Sequence, residues 1–209
     1  MGMPVLILGE SGSGKSTSLR NFPPDKVAVL NVASKPLPFK NKLMVRNGVD
    51  YNSINNSLQK NAMKAYVIDD VQYLMSFEFF DHARETGYQK FTNLGKNFYD
   101  MMKNIRNCTS EDTIVYLLGH VEQVADGKQK MKTIGKMLDE KLTIEGLCTI
   151  VLWCKSELEN KTVTYKFVTQ TDGMTTAKSP MEMFGDLEID NDLYLVDKTI
   201  REFYGFAQL

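Results

Sequence analysis

The chain has little cysteine, no excess of either charge and no long apolar run. Its three cysteines, Cys108, Cys148 and Cys154, are an odd number without metal-ligand spacing. That excludes a disulfide framework and a cysteine-held metal, and it fits a reducing compartment. Cys148 and Cys154 flank a strand-like run and read as buried apolar fillers. A formal net charge of −1 gives no global pull on nucleic acid or an anionic membrane. Any nucleic-acid contact must come from a local patch, multiplied by oligomerisation. No apolar run approaches the roughly 18 residues of a membrane span, and the first residues read as a strand rather than a secretory leader. No membrane contact and a cytoplasmic location are therefore expected. Internal repeats, low-complexity tracts and linkers are also missing. With 209 residues and 43% hydrophobic content, the chain has material for one α/β domain over residues 1–209.

What is present begins at the amino end. Gly9-Glu10-Ser11-Gly12-Ser13-Gly14-Lys15-Ser16 follows the apolar run Pro4–Leu8 and precedes Thr17-Ser18-Leu19-Arg20. This is the G-x-x-x-x-G-K-[ST] pattern in its expected setting, a buried strand feeding a loop that opens a helix. Glycine lets peptide N–H groups approach phosphate closely and supplies φ > 0 where the loop turns. Lys15 is expected to reach the β- and γ-phosphates of ATP or ADP. The Ser16 hydroxyl is expected to ligate Mg²⁺, and Thr17 to sit near the α-phosphate. A helix over Lys15–Asn21 would point its positive dipole end at the same charge, and Phe22-Pro23-Pro24 stops it.

Lys64 to Asp70 is the second decisive stretch, a hydrophobic strand ending in two aspartates. Asp69 is expected to hold the Mg²⁺ shell, through water, opposite Ser16. Two roles are open to Asp70: a carboxylate that polarises the attacking water, or the N-cap of the following segment. Thr113–Leu118 is a further buried strand, ended by Gly119-His120. Ligands sit at strand carboxyl ends in parallel sheets. His120 is thus either a sensor of the γ-phosphate or a structural histidine. After it, Asp126–Lys136 carries four lysines (Lys128, Lys130, Lys132, Lys136) and two glycines. It reads as a solvated basic loop, or as a contact for a nucleic-acid backbone or a neighbouring subunit's phosphates.

The remaining pattern gives a strand over Val27–Val32, a loop over residues 33–42, a short strand at Leu43–Val45 and a helix over Tyr51–Asn61. Helical periodicity returns in Tyr73–Arg84 and Phe91–Asn107, with His82 on the polar side as a surface residue. Met137–Leu147 reads as a helix. Thr149–Trp153 and Thr162–Thr169 pair as an antiparallel hairpin through 157–161. Gln170–Gly173 is a turn, and Asn191–Phe206 is an amphipathic helix. The fold class predicted is α/β, a mostly parallel central sheet flanked by helices, with a late β-hairpin and helix.

GESGSGKS, YVIDD, Gly87-Tyr88-Gln89-Lys90-Phe91, LLGH at Leu117–His120, the KTIGK stretch, and Gln170–Gly173 followed by Ala177-Lys178 together give the chain a resemblance. It resembles the phage-encoded, RecA-like P-loop ATPases that consist of the recombinase core alone and are associated with single-strand annealing and recombination. The likeness spans essentially the whole chain; the first two motifs are shared by many P-loop proteins. It implies phosphate binding by Gly9–Thr17, metal binding by Ser16 and Asp69, and coupling to single-stranded DNA through His120 and the loop after it. It also implies a homo-oligomer, ring or filament, in the host-cell cytoplasm, with nucleotide between subunits and other phage recombination or single-strand-binding proteins as partners. Lys178 is the candidate for the lysine reaching a neighbour's site, and Lys136 the second. One departure stands out. Such proteins carry a catalytic Glu at the end of the strand after the P-loop helix, and here that strand ends Leu30-Asn31-Val32-Ala33-Ser34. Either Asp70 does that work or hydrolysis is weak. An ATPase on single-stranded DNA leads; a small-molecule kinase and a non-hydrolysing regulator stay open. Against the kinase stand the late hairpin and the lack of an arginine-rich lid segment.

Overall fold

Strands that are apolar on every residue need cover on both faces, and that need organises the fold. The computed structural model describes all residues except Asn41, Ala125 and Asp126. In chain order, β1 (Met3–Leu8), a 3₁₀ turn (Ser16–Asn21), β2 (Ala28–Asn31) and β3 (Met44–Asn47) come first. Next are α1 (Tyr51–Lys60), β4 (Ala65–Asp69), α2 (Tyr73–Asp81), α3 (Gln89–Cys108) and β5 (Ile114–Gly119). A small hairpin, β6 (Val121–Gln123) and β7 (Gln129–Met131), precedes α4 (Lys136–Lys141) and a second 3₁₀ turn (Ile144–Leu147). The chain continues through β8 (Ile150–Glu159), β9 (Thr162–Val168), β10 (Glu188–Asp190) and α5 (Leu193–Tyr204).

Eight strands form one sheet in the order β3-β2-β4-β5-β1-β8-β9-β10. Pairing is parallel from β3 through β8 and antiparallel for β8–β9 and β9–β10. Side chains alternate between two buried layers. Leu6, Leu8, Val115, Leu117 and Ile68 pack with α1, α2 and α3 through Leu58, Met75, Phe98 and Met101. Val5, Ile7, Tyr116, Leu118 and Val67 pack with Leu19, Val196 and Ile200 on the other face. α1 is capped by Asp50, whose carboxylate accepts from Ser53 N–H at 2.7 Å. α5 is capped by Asp192 and closes on Gly205 at φ 70°.

Beneath α5 lies a fully buried arginine. Arg201 donates Nε–H to Asp197 Oδ1 at 2.5 Å, and its other nitrogens donate to the carbonyls of Lys64, Asp112 and Ala207. Tyr116 Oη donates to the second oxygen of Asp197 at 2.8 Å. The last helix is thereby fixed to the amino ends of β4 and β5.

The structure corrects four expectations. The segment after the glycine-rich loop is a six-residue 3₁₀ turn, not an α-helix. Ser18 Oγ donates to the Lys15 carbonyl at 2.6 Å, and Phe22, which precedes Pro23, is held extended at ψ 136°. Residues 137–147 break into α4 and a 3₁₀ turn, because Leu142 and Thr143 turn extended. The lysine stretch is a two-stranded hairpin rather than a loop. β8 runs on to Glu159, so the hairpin turn shrinks to Asn160-Lys161, both in the left-handed region at φ 47° and 66°.

Candidate nucleotide site

Parallel register brings the decisive strand ends together. Leu8 lies opposite Gly119, and Asn31 opposite Asp69. β5 lies between β1 and β4, so His120 emerges between the glycine loop and the two aspartates. The cleft there holds about 300 Å³, walled by Gly12, Gly14, Lys15 and Ser16 on one side and by Lys35, Asp69, Asp70 and His120 on the other.

The loop is built as a cradle. Gly12 and Gly14 lie at φ 81° and 97°, where other residues are strained. A Cβ on Gly14 would stand 2.6 Å from the Tyr165 ring, and one on Gly9 would stand 2.7 Å from the Cys154 carbonyl. Ser13 Oγ is buried inside the loop without a hydrogen-bond partner. Lys15 is folded inward, donating to the carbonyls of Gly9 (2.8 Å) and Glu10 (2.7 Å). Burial pulls its ammonium below the usual lysine range, a charge held in readiness for an anion.

Ser16 Oγ donates to Asp69 Oδ1 at 3.0 Å, across 53 residues of sequence. Burial, then the neighbouring Asp70 charge, pushes the Asp69 carboxyl up to about 6, against the bond from Ser16. A hydroxyl and a carboxylate side by side are hard oxygen donors of the kind Mg²⁺ takes. The residues present therefore fit the ion, with Ser16 and Asp69 as the groups that would hold it; it would neutralise phosphate charge there.

Asp70 is in the left-handed region, at φ 60°. Its carboxylate meets Lys35 Nζ at 2.5 Å and His120 Nε2 at 3.2 Å. Burial alone would raise its pKa; the bonds to His120 and Lys35 outweigh that and hold it below the usual range. The N-cap role is ruled out: α2 opens at Gln72 with no side-chain cap. Gln72 Oε1 instead accepts from the His120 N–H at 3.2 Å.

His120 leads on to the lysine hairpin, since its carbonyl accepts from Lys132 N–H at 2.9 Å. The hairpin also touches the loop, through Gln129 Nε2 on Glu10 Oε1 at 3.0 Å. Lys128 and Lys132 are both exposed, and half-buried Lys130 stands 3.5 Å from Glu122. Lys136 opens α4; its side chain, like Asp126 as a whole, lies outside the described residues. Lys178 forms a backbone bridge with Val151 and does not line the cleft. Thr17 and Ser11 line it; Glu10 is exposed at its edge.

Three contributors escaped the sequence reading. Lys35 had a usable signal: it is the cation just past the carboxyl end of a parallel strand, in a loop stiffened by Pro36 and Pro38. Tyr165 gave none, because it reaches Gly14 from a strand far along the chain. Asn31, in the place of the missing acid, donates to the Lys35 carbonyl at 2.7 Å and to Asn47 Oδ1 at 2.9 Å.

A larger hollow of about 750 Å³ lies between α1, α2 and α3. Asp50, Glu78, Asp81 and Asp100 line it, with no lysine or arginine among its described residues. Such a wall repels polyphosphate, so the smaller cleft is the nucleotide candidate.

Compared with protein-family models and with curated proteins, the chain matches none.

Proposed function

We propose that the chain is a RecA-like P-loop ATPase that binds ATP with Mg²⁺ and acts on single-stranded DNA in phage recombination or replication. The observation that carries the reading is the Ser16–Asp69 bond at the mouth of the glycine loop. Two motifs separated in sequence meet there with the donors a metal–triphosphate needs. Lys15 and the loop amides take the phosphates, and Asp70 is the carboxylate that accepts the proton of the attacking water. His120, joined to Asp70 and to the backbone of Lys132, relates the phosphate end of the cleft to the basic hairpin.

The DNA part rests on the lysines of that hairpin, of which Lys128 and Lys132 are exposed. Assembly is supported by apolar side chains left in solvent on the β8–β9 hairpin, Leu158 at 74% and Val163 at 48% exposure. Lys178 and Lys136 remain the candidates for a charge donated to a neighbour's site.

A second reading, a nucleotide-dependent binder that does not hydrolyse, is favoured by one observation. Asn31, a neutral amide, stands beside Asp69 where the resemblance implies a glutamate. Turnover decides between the two: ADP and inorganic phosphate from ATP mark an ATPase, a phosphorylated acceptor a kinase, and binding without product a regulator. Lys15→Ala should abolish nucleotide binding in calorimetry and the protection from melting that ligand gives wild type, about 2.7 kcal/mol at 100-fold excess over Kd. Unchanged affinity in that variant would remove the premise.

A further inference from the structure

We infer that Lys35 is a phosphate-exchanging side chain: it holds Asp70 in the nucleotide-free protein and moves to the terminal phosphate when a triphosphate enters. The inference rests on the proposed nucleotide site and deepens it.

Both oxygens of Asp70 are engaged, Oδ2 by Lys35 and Oδ1 by His120. A carboxylate so occupied is poorly placed to take a water. One partner must leave before Asp70 can act, and the two differ. The His120 side chain is 19% exposed and its backbone is fixed at both N–H and carbonyl. The Lys35 side chain is 59% exposed and shares its charge with water and the Tyr73 ring, 5.6 Å from its centroid. An ammonium so exposed is weakly held and can be exchanged.

The backbone beneath it is anchored. Buried Asn31 grips the Lys35 carbonyl and is itself tied to Asn47, while Pro36 and Pro38 stiffen the chain beyond. The result is a long cationic side chain on a fixed pivot. Lys35 faces the glycine loop across the cleft, near enough for its charge to bear on Lys15. Lys15 lies in the loop that takes the proximal phosphates; Lys35 lies at the Asp70–His120 end, where a third phosphate would come. That phosphate carries more charge than Asp70 and attracts the ammonium more strongly. Asn31 thus serves the site by holding the lysine loop, in the position where an acid was expected.

The test is discrimination between nucleotides. Binding of the β,γ-methylene analogue of ATP and of ADP, each with Mg²⁺, is measured by calorimetry for wild type, Lys35→Met, Lys35→Arg and Lys15→Ala. Lys35→Met should lose about tenfold in affinity for the triphosphate, the worth of one charge-assisted bond, and less than about twofold for ADP. Lys35→Arg should keep the preference. Equal loss for both nucleotides, no loss for either, or a loss in the arginine variant as large as in the methionine variant would overturn the role of Lys35 while leaving the nucleotide reading intact. Absence of binding by wild type, or full binding by Lys15→Ala, would overturn both. Lys35 is largely exposed and keeps its backbone bond in every variant, and an unaltered circular-dichroism spectrum with a cooperative unfolding transition above the assay temperature verifies the fold.

Discussion

Asp69 is a buried carboxyl beside a second one, and its affinity for a proton has two consequences of opposite sign. In the folded protein it titrates at about 6, against 3.8 for a free aspartate. Only the ionised form suits Mg²⁺, so affinity for Mg²⁺–nucleotide should fall about tenfold per unit as pH drops below about 6. For the metal-free protein the direction reverses. Between 3.8 and about 6 the folded state holds a proton that the unfolded state has released, so this group's contribution to stability falls as pH rises through the window. Calorimetric binding and ligand-free melting, each from about pH 4 to 8, check both limbs; affinity flat across pH 6 would count against Asp69 as the metal's carboxylate. At this scale the sequence was legible where chemistry needs a fixed spacing. Ser11, Gly12, Gly14 to Thr17 and Asp69 were legible as walls of one cleft, from the loop's spacing and the end of an apolar strand. Lys35 and Tyr165 were not, because their roles depend on which distant strand lies alongside.

Elements were legible in proportion to how fully burial determined them. β1, β4 and β5 are apolar almost throughout because both faces of the sheet are covered, and α3 shows its inward stripe at Leu94, Phe98, Met101, Met102 and Ile105. The short segments were not, because side chains compete with the backbone there: Ser18 and Phe22 tighten the first turn into 3₁₀ geometry. The β6–β7 hairpin carries no strand signal in the sequence because its strands are only three residues each. Its form sharpens the DNA expectation. Lys128 sits at the turn and Lys132 beyond the last strand residue, while Lys130 is held near Glu122. Lys128→Ala with Lys132→Ala should weaken single-stranded DNA binding and flatten the log affinity–log salt slope by about 0.7 for each phosphate no longer neutralised. Lys130→Ala should change it less. A filter-binding series across salt concentrations reads this directly, and an unchanged slope in the double variant would return the hairpin to ordinary solvated surface.

On the scale of the whole molecule, the nucleotide cleft and the stabilising centre lie at opposite ends of the sheet. The cleft gathers strand carboxyl ends; Arg201 gathers amino ends, from Lys64 before β4 and Asp112 before β5. Arg201→Met leaves Asp197 buried without its counter-charge and should cost about 3–5 kcal/mol in urea unfolding. An exposed pair such as Lys166–Asp190 is screened by water and contributes far less. Affinity for nucleotide, measured well below the unfolding midpoint, should not change. A loss of only a few tenths would show that the arginine bonds contribute little. Among the described residues no helix is long and apolar enough to cross a membrane. The pattern of strands announced the layered α/β arrangement, whereas the buried arginine was invisible in a sequence where its spacing to Asp197 looks like any surface pair.

The same arginine bears on how the chain is made. The carbonyls it caps at Lys64 and Asp112 belong to segments translated long before it. Until residue 201 leaves the ribosome, those oxygens and the Tyr116 hydroxyl lack the company that seals them in. A nascent chain halted earlier would hold an unsealed sheet.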